Sequence, residues 1–175
     1  MPISGDVYRQ IGRASAGAVS VVATLDQERD TIAALTVSSF VTLSFEPPLV
    51  MFAIQHNTNS FSPMVTSKSF GVSLLSEEQI SIAQLFASKE RNKAQKTQFD
   101  QGETLQVPLI PGALAQIECV TDQIFMSGDH AIIVGLVEGA RTRVGQPLLY
   151  YARQYGAFAP FAGAQTPCDL TTRFS

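Results

Sequence analysis

Hydroxyl side chains recur along one apolar stretch of the chain, from Thr36 to Ser44. The stretch reads Thr-Val-Ser-Ser-Phe-Val-Thr-Leu-Ser, and in a β-strand every second side chain points to the same face. A row of hydroxyls on one face can form the polar wall of a site for a flat heteroaromatic ligand. The alternative is that these residues occupy the solvent face of an edge strand, and the pattern by itself favours this alternative.

The motifs of several common enzyme classes do not occur in the sequence. It contains no G-x-S-x-G nucleophile motif and no pair of carboxylates at catalytic spacing. No G-x-G-x-x-G follows a predicted strand, which argues against a Rossmann nucleotide site. The two histidines and two cysteines are scattered singly, so no metal site is expected. These patterns argue against nucleophilic hydrolysis and zinc chemistry.

The composition is typical of a folded, weakly charged protein. Of the 175 residues, 45% are hydrophobic and only 15% are charged, which indicates one globular domain and excludes a disordered chain. So few charges are typical of a protein that buries surface in an oligomer, and we expect a homodimer. A net charge of −3 without a stripe of Lys and Arg argues against a nucleic-acid partner.

Three features of the sequence concern its compartment. The longest apolar run, residues 48–54, is far shorter than the ~20 residues that cross a bilayer, so no membrane partner is expected. The first residues lack the basic-then-apolar order of a signal peptide. Cys119 and Cys168 have no C-x-x-C spacing and are expected to be reduced thiols. Together these features predict a cytoplasmic protein.

The elements that must position these side chains are mostly short strands. A strand or a bent pair of strands is predicted over 31–44, with a bulge near Ser38 and Ser39. The continuous apolar run 49–54 is predicted to be a strand that is buried on both faces. Apolar patterns predict the remaining strands over 18–24, 69–75, 113–124, 131–139 and 147–151. Strands in hairpin order without a βαβ cadence predict an antiparallel barrel.

Three short helices accompany these strands. An opening helix is predicted over 6–13 and a second helix over 60–67. The spacing Ser76-x-x-Gln79 is that of a capping box and predicts the start of a third helix. The residues expected in its core stripe are Ile80, Ala83 and Ala87. The charged segment 88–102 is expected to be exposed and only partly ordered.

Several blocks of the sequence follow one another in an order and spacing typical of one protein family. These blocks are Leu35-Thr-Val-Ser-Ser-Phe40, Leu43-Ser-x-x-Pro-Pro-Leu-Val50, Ser69-Phe-Gly-Val-Ser-Leu-Leu-Ser-x-x-Gln79, Ala83-x-x-Phe-Ala87, Ala115-x-x-Glu-Cys119, Gly128-Asp-His130 and Pro147-Leu-Leu-Tyr150. Over about residues 5–158 the chain resembles the short-chain flavin reductases. This family provides the reductase component of two-component flavin-dependent monooxygenases.

The resemblance implies a mainly β fold with short helices, a six-stranded antiparallel split β-barrel of the FMN-binding type. It also implies a homodimer that binds FMN or FAD near the subunit interface. We therefore expect one flavin reductase-like domain over 1–158, followed by an irregular C-terminal tail over 159–175.

The same resemblance implies flavin-binding roles for residues that match the family's blocks. The residues expected at the N5/O4 edge of the isoalloxazine ring are Thr36, Val37, Ser38 and Ser39. Those expected beneath the ring and its pyrimidine edge are Ala53, Ile54 and Gln55. Asn59 and Ser60 would bind the phosphate at a helix N-terminus, and simple helix capping is the alternative.

Further residues are expected near the ribityl chain or the phosphate. These are Phe86, Ala87 and Ser88. One cation among Lys89, Arg91 and Lys93 would add positive charge, and Lys93 is our choice. The alternative for each of the three is a solvated surface charge.

His130 follows Gly128 and Asp129 just before a predicted strand. By resemblance, this histidine lies over the flavin and helps to position the nicotinamide. The alternative is a structural residue at the end of a turn that Asp129 forms. Tyr150 and Tyr155 are expected to stack on nicotinamide or adenine, and aromatic closure of the barrel is the alternative.

The function that the resemblance implies is NAD(P)H:flavin oxidoreduction. The enzyme would reduce FMN or FAD with NADH or NADPH and supply the reduced flavin to a separate oxygenase component. A different class remains open, a non-catalytic flavin-binding or electron-carrier protein on the same barrel. A third possibility is an enzyme like pyridoxamine-phosphate oxidase, but the basic phosphate ligands typical of its substrate site are not found here.

Overall fold

The computed structural model describes residues 2–90 and 92–161. The helices are α1 (Gly5–Ala14), α2 (Phe61–Thr66) and α3 (Ile80–Ala87), and 3₁₀ turns occur at Glu77–Gln79 and Lys93–Lys96. The strands are β1 (Gly17–Ala18), β2 (Ser20–Asp26), β3 (Thr31–Val37), β4 (Val41–Ser44), β5 (Leu49–Gln55), β6 (Ser69–Leu74), β7 (Asp100–Gln101), β8 (Pro108–Leu109), β9 (Ala115–Ser127), β10 (His130–Thr142), β11 (Leu148–Tyr151) and β12 (Gln154–Ala157). The predicted mainly β class with short helices is confirmed.

Seven strands form one antiparallel sheet in the order β3-β2-β6-β9-β10-β5-β4. Its two edge strands, β3 and β4, are consecutive in the chain and are separated only by residues 38–40. The sheet therefore curls so that the end of β3 lies near the start of β4, as expected for the predicted barrel. At this seam the Ser39 hydroxyl donates to the Ala53 carbonyl (3.2 Å) and accepts from the Ala53 amide (3.0 Å).

The sheet has seven strands where six were predicted. The reason is the break at Ser38–Phe40, which divides the stretch 31–44 into the bent pair β3 and β4. Strand β12 was not predicted, and it pairs with β11 in a small sheet with β1. Of the tail expected over 159–175, only 159–161 lie within the described residues, and Cys168 lies outside them.

Apolar side chains form two cores, one inside the barrel and one beneath α3. The buried residues of the barrel core are Val22, Leu35, Val37, Val50, Phe52, Ile54, Met64, Phe70, Val72, Cys119, Ala131 and Ile133. Those of the second core are Val19, Val21, Ala23, Ala34, Leu75, Ala83, Phe86, Ile110 and Leu148. Burial raises the pKa of the Cys119 thiol to about 12, so this thiol is not a nucleophile at neutral pH.

The prediction that the strand at 49–54 is buried on both faces is wrong. Side chains of β5 alternate, with Phe52 and Ile54 buried in the barrel and Met51, Ala53 and Gln55 half-buried on the outer face. Only the side of β5 that faces the barrel is fully packed, so its outer face, next to the edge strand β4, is partly accessible to solvent.

The predicted core stripe of the third helix is also partly wrong. Ala83 is buried as expected, but its buried companion is Phe86, whereas Ile80 and Ala87 are exposed. A 3₁₀ turn precedes α3, and the two buried residues of the helix, Ala83 and Phe86, are three positions apart. The Thr36 hydroxyl fixes this packing by donating to the Ala83 carbonyl at 2.8 Å.

A two-residue turn joins the long strands β9 and β10. Gly128 has a φ of +60°, a conformation that glycine adopts without strain at the first central position of such turns. The turn brings His130 to the start of β10, directly opposite Gln55 of β5. Within residues 2–90 and 92–161, the helices are too short or too polar to cross a membrane.

Candidate functional site

A cleft of about 380 Å³ opens beside the start of β3, between the α2 entry and the segment that follows α3. It brings together four of the sequence-predicted site residues, which are Asn59, Ser60, Phe86 and Lys93. The other lining residues are Asp26, Arg29, Thr31, Ile32, Ala33, Ala34, Glu90, Asn92 and Ala94. The short side chains of β3 leave space for the cleft, and charged groups surround its opening.

Lys93 is held in place by the end of α3. Its ammonium group donates to the carbonyls of Phe86 and Ser88, each at 2.9 Å. The same nitrogen lies 5.9 Å from the centre of the Phe86 ring, within the range of a cation–π contact. Partial burial lowers the pKa of Lys93, while the nearby Glu90 carboxylate raises it. Lys93 is thus a fixed, partly desolvated cation on the cleft wall.

Arg29 is a second cation in the cleft, and it was not among the residues predicted from the sequence. Its guanidinium group contacts the buried carboxylate of Asp26 at 2.7 Å, and its side chain stays 64% exposed. Asp26 also accepts from the amides of Glu28 and Arg29, so it shapes the turn between β2 and β3. In the sequence, Asp26 and Arg29 look like a charged pair of an ordinary surface turn, so nothing in the pattern of residues indicated that Arg29 belongs to a site.

Ser60 and Asn59 contribute differently to the cleft. The Ser60 hydroxyl is buried and donates to the Ala34 carbonyl at 3.0 Å, which ties the start of α2 to β3. Because its proton is used in this bond, the Ser60 hydroxyl cannot also donate to a phosphate. Asn59 is exposed at the cleft rim and remains a candidate ligand-binding side chain.

The residues expected around the flavin ring fall into two groups. Val37 and Ile54 are buried in the barrel core, and the Thr36 hydroxyl is bonded to α3, so only their backbone can face a ligand. Ser38 and Ser39 are exposed on the segment between β3 and β4. The Ser39 bonds to Ala53 hold this segment against β5.

Beyond this segment, a polar cluster occupies the ends of β5 and β10. His130 Nδ1 lies 2.6 Å from one carboxylate oxygen of Asp129, and the Gln55 amide donates to the other oxygen at 3.4 Å. The His130 side chain is 42% exposed. Its hydrogen bond to Asp129 lowers the pKa of that carboxyl. The cluster is therefore a half-exposed imidazole held by a carboxylate.

One loop connects the polar cluster to the cleft. Thr58 caps the end of β5 through its amide and hydroxyl, which donate to the Gln55 carbonyl at 3.2 and 3.0 Å. Asn59 and Ser60 follow directly and line the cleft. Residues 55–60 thus contribute side chains to both the polar cluster and the cleft.

The remaining predicted residues lie outside the cleft lining. Tyr150 and Tyr155 contact each other with ring centres 5.1 Å apart on β11 and β12, packed against the second core. Ala87 and Ser88 are exposed at the end of α3, where the Ser88 hydroxyl donates to the Leu85 carbonyl at 2.8 Å. Lys89 is exposed, and Arg91 lies outside the described residues.

The chain is similar to proteins of known activity over most of its length. The family described as the flavin reductase like domain matches residues 12–159. The reductase component of 4-hydroxyphenylacetate 3-monooxygenase from Thermus thermophilus is 32% identical over 146 residues, covering 83% of this chain and 90% of that protein. The NADH:riboflavin 5'-phosphate oxidoreductase of Streptomyces pristinaespiralis is 30% identical over 127 residues, covering 71% of this chain and 72% of that protein.

A solved structure shows the same fold. It is the NADH:FAD oxidoreductase of Streptomyces globisporus C-1027 in complex with NAD and FAD fragments. The TM-score is 0.82 at 26% sequence identity, and the match covers 93% of this chain and 99% of that chain.

Proposed function

This chain belongs to the flavin reductase like domain family, and from that membership we propose that it is an NAD(P)H:flavin oxidoreductase on an FMN-binding type of split barrel. It reduces FMN or FAD with NADH or NADPH. Its relatives include a monooxygenase reductase component and an NADH:FAD oxidoreductase. The observation that carries the proposal is the cleft, which gathers Asn59, Ser60, Phe86 and Lys93 from three separate segments of the chain.

The residues of the cleft fit the phosphate and ribityl portion of a flavin. Lys93 and Arg29 are the two cations of the lining among the described residues, and charge-assisted hydrogen bonds from such groups are strong phosphate contacts. Asn59 adds an exposed amide at the rim, while Ala33 and Ala34 leave space for a flexible chain. Because Asp26 and Glu90 offset part of the positive charge, the cleft is suited to an anion without being strongly basic.

The outer face of β5 fits the flat ring. Ala53 lies opposite Ile132 of β10, and its amide donates to the hydroxyl of the exposed Ser39. Hydroxyl and amide donors at this edge would stabilise negative charge on a reduced ring through preorganised hydrogen bonds. The same donors would hold the ring in one orientation.

The chain itself acts by binding and orienting. FMN or FAD, when bound, accepts the hydride that the nicotinamide donates, so the site needs no acid or base of its own. Hydride transfer requires the two rings to be in contact, at about 3–3.5 Å, and correct orientation supplies much of the rate. His130, half-exposed beside Gln55, is the residue we place at the nicotinamide. The test is whether the purified protein oxidises NADH only when a flavin is added.

The reduced flavin is proposed to pass to a separate oxygenase component. The support is the Thermus thermophilus relative, which is the reductase component of 4-hydroxyphenylacetate 3-monooxygenase. The cleft is open to solvent rather than enclosed, with Arg29 64% exposed at its mouth. An open site allows the flavin to enter and leave as a diffusible molecule.

We also propose that the protein is a homodimer, joined through the outer face of β4, β5, β10 and β9, so that the ring site beside Ala53 lies at the subunit interface. Val41 faces Met51, and Ala53 faces Ile132, which in turn faces Phe125. Directly opposed residues of neighbouring strands project to the same side of a sheet. Val41 and Phe125 are 45% and 50% exposed, so the row is an accessible apolar surface that a second copy can cover.

The wild-type protein should sediment as a dimer at micromolar concentration. The substitution Phe125→Glu places a charge in the apolar row and should shift the protein towards monomer, because an unpaired charge in an interface is costly. Leu25→Glu is the control, since Leu25 is equally exposed (51%) but lies on β2. A monomeric wild-type protein at this concentration would contradict the proposal.

A further inference from the structure

The turn between β9 and β10 places one carboxylate between side chains from two strands. Asp129 Oδ1 lies 2.6 Å from Nδ1 of His130, and Asp129 Oδ2 accepts from the Gln55 side-chain amide at 3.4 Å. Gln55 and His130 are themselves a directly opposed pair of β5 and β10. Asp129 therefore bridges the two residues that we place nearest to the reacting rings.

The backbone of this turn is also anchored. The His56 amide donates to the Asp129 carbonyl at 3.0 Å, which fixes the turn to the end of β5. Gly128 supplies the left-handed conformation that a two-residue turn needs at this position. The Asp129 side chain is 76% exposed, so its order comes from these bonds and not from packing.

The hydrogen-bonding capacity of the Asp129 carboxylate and the His130 imidazole decides which ring nitrogen carries the proton. An ionised carboxylate can only accept, so the 2.6 Å contact requires a hydrogen on Nδ1 of His130. In the neutral ring, Nε2 is then left as an acceptor with a free lone pair. The hydrogen bond to His130 also lowers the pKa of the Asp129 carboxyl, which is ionised at neutral pH in any case.

We propose that Asp129 is a positioning residue that fixes His130 in the Nδ1-protonated form, so that Nε2 accepts a hydrogen bond from the carboxamide of the nicotinamide. This inference rests on the proposed function, because it assumes that a nicotinamide docks at His130. The NH₂ of the nicotinamide carboxamide is a hydrogen-bond donor. A His130 imidazole protonated at Nε2 could not accept this bond, because Nε2–H is itself a donor. Asp129 thus acts through His130 and touches neither ring.

The first test is spectroscopic and needs neither flavin nor NADH. Long-range ¹H–¹⁵N spectra distinguish protonated from unprotonated imidazole nitrogens, and the chain has only two histidines, so His56→Gln assigns both signals. We expect Nδ1 of neutral His130 to be protonated in the wild type and in Asp129→Asn, which keeps an acceptor oxygen. In Asp129→Ala the Nε2-protonated form should gain population. An Nε2-protonated wild type, or an unchanged Asp129→Ala, would overturn the proposal.

The second test is kinetic. Asp129→Ala should raise KM for NADH about fivefold to tenfold with a smaller change in kcat, and Asp129→Asn should restore most of the loss. Asp122→Ala is the matched control, because it removes an exposed carboxylate from the same hairpin seven residues earlier. An Asp129→Ala variant with wild-type KM would overturn the proposal. If the wild type oxidised no NADH, the proposed function would fail, while the spectra would still decide whether Asp129 sets the tautomer.

Discussion

Replacing His130 with alanine should lower kcat/KM for NADH by about tenfold to hundredfold and leave flavin affinity within about twofold. The expected loss follows because His130 orients the nicotinamide ring relative to the flavin ring. Each factor of ten in rate corresponds to ~1.4 kcal/mol of activation free energy. His130 lies beside Gln55 and away from the residues that line the cleft, so the phosphate contacts stay intact. Stopped-flow reduction with NADH and flavin titration by fluorescence quenching measure the two effects separately.

His56→Ala is the matched control for this substitution. His56 is an exposed histidine in the adjoining loop, where its ring contacts Phe61 with centres 4.8 Å apart. It should change neither NADH turnover nor flavin binding by more than about twofold. Wild-type activity in His130→Ala would mean that the histidine is a structural residue of the turn. Equal losses in turnover and flavin affinity would contradict the separation of the nicotinamide contact from the phosphate contacts.

Replacing Lys93 with methionine should weaken flavin binding by about tenfold to hundredfold. A hydrogen bond to a charged group contributes about 1.5–3 kcal/mol, and methionine keeps most of the apolar stem that packs near Phe86. The pKa of Lys93 is lowered by burial, so the loss of affinity with rising pH should begin below the range of an ordinary lysine. Flavin titrations at several pH values measure both effects.

Lys96→Met is the control for Lys93→Met. Lys96 lies on the same 3₁₀ turn but is exposed and paired with Glu90. It should leave flavin affinity nearly unchanged. Thermal melting of both variants separates lost ligand binding from fraying of α3, because Lys93 also caps that helix. Unchanged affinity in a folded Lys93→Met protein would show that another cation, such as Arg29, binds the phosphate.

The parts of the fold that depend on local pattern could be predicted from the sequence. The helix at Gly5–Ala14 begins beside a capping serine, Ser4, whose hydroxyl accepts from the Val7 amide at 3.4 Å. The break between β3 and β4 was expected from the disturbed alternation near Ser38 and Ser39. Each of these features is set by residues a few positions apart.

Features that depend on tertiary register could not be predicted in the same way. Residues 49–54 of β5 are uniformly apolar, so the sequence could not show that only one face of the strand is covered. The pairing of Gln55 with His130 joins residues 75 positions apart through the β5–β10 register. Arg29 reaches the cleft only because the turn after β2 folds beside the segment that follows α3.

The resemblance to flavin reductases, rather than the pattern of residues, identified the candidate site. By pattern alone, Asn59 and Ser60 were better explained as helix caps. In the structure the Ser60 side chain makes no cap hydrogen bond to α2, and its hydroxyl donates to the Ala34 carbonyl while the residue lines the cleft.

Steady-state oxidation of NADH and NADPH by the purified protein, each with FMN and with FAD, measures the proposed flavin reductase activity itself. Absorbance at the nicotinamide band reports the rate, and reactions without protein or without flavin give the background. We predict oxidation that depends on both protein and added flavin in at least one of the four combinations. No oxidation above background in any combination, together with flavin that stays tightly bound at one per chain, would contradict the account and indicate a non-catalytic flavin-binding protein.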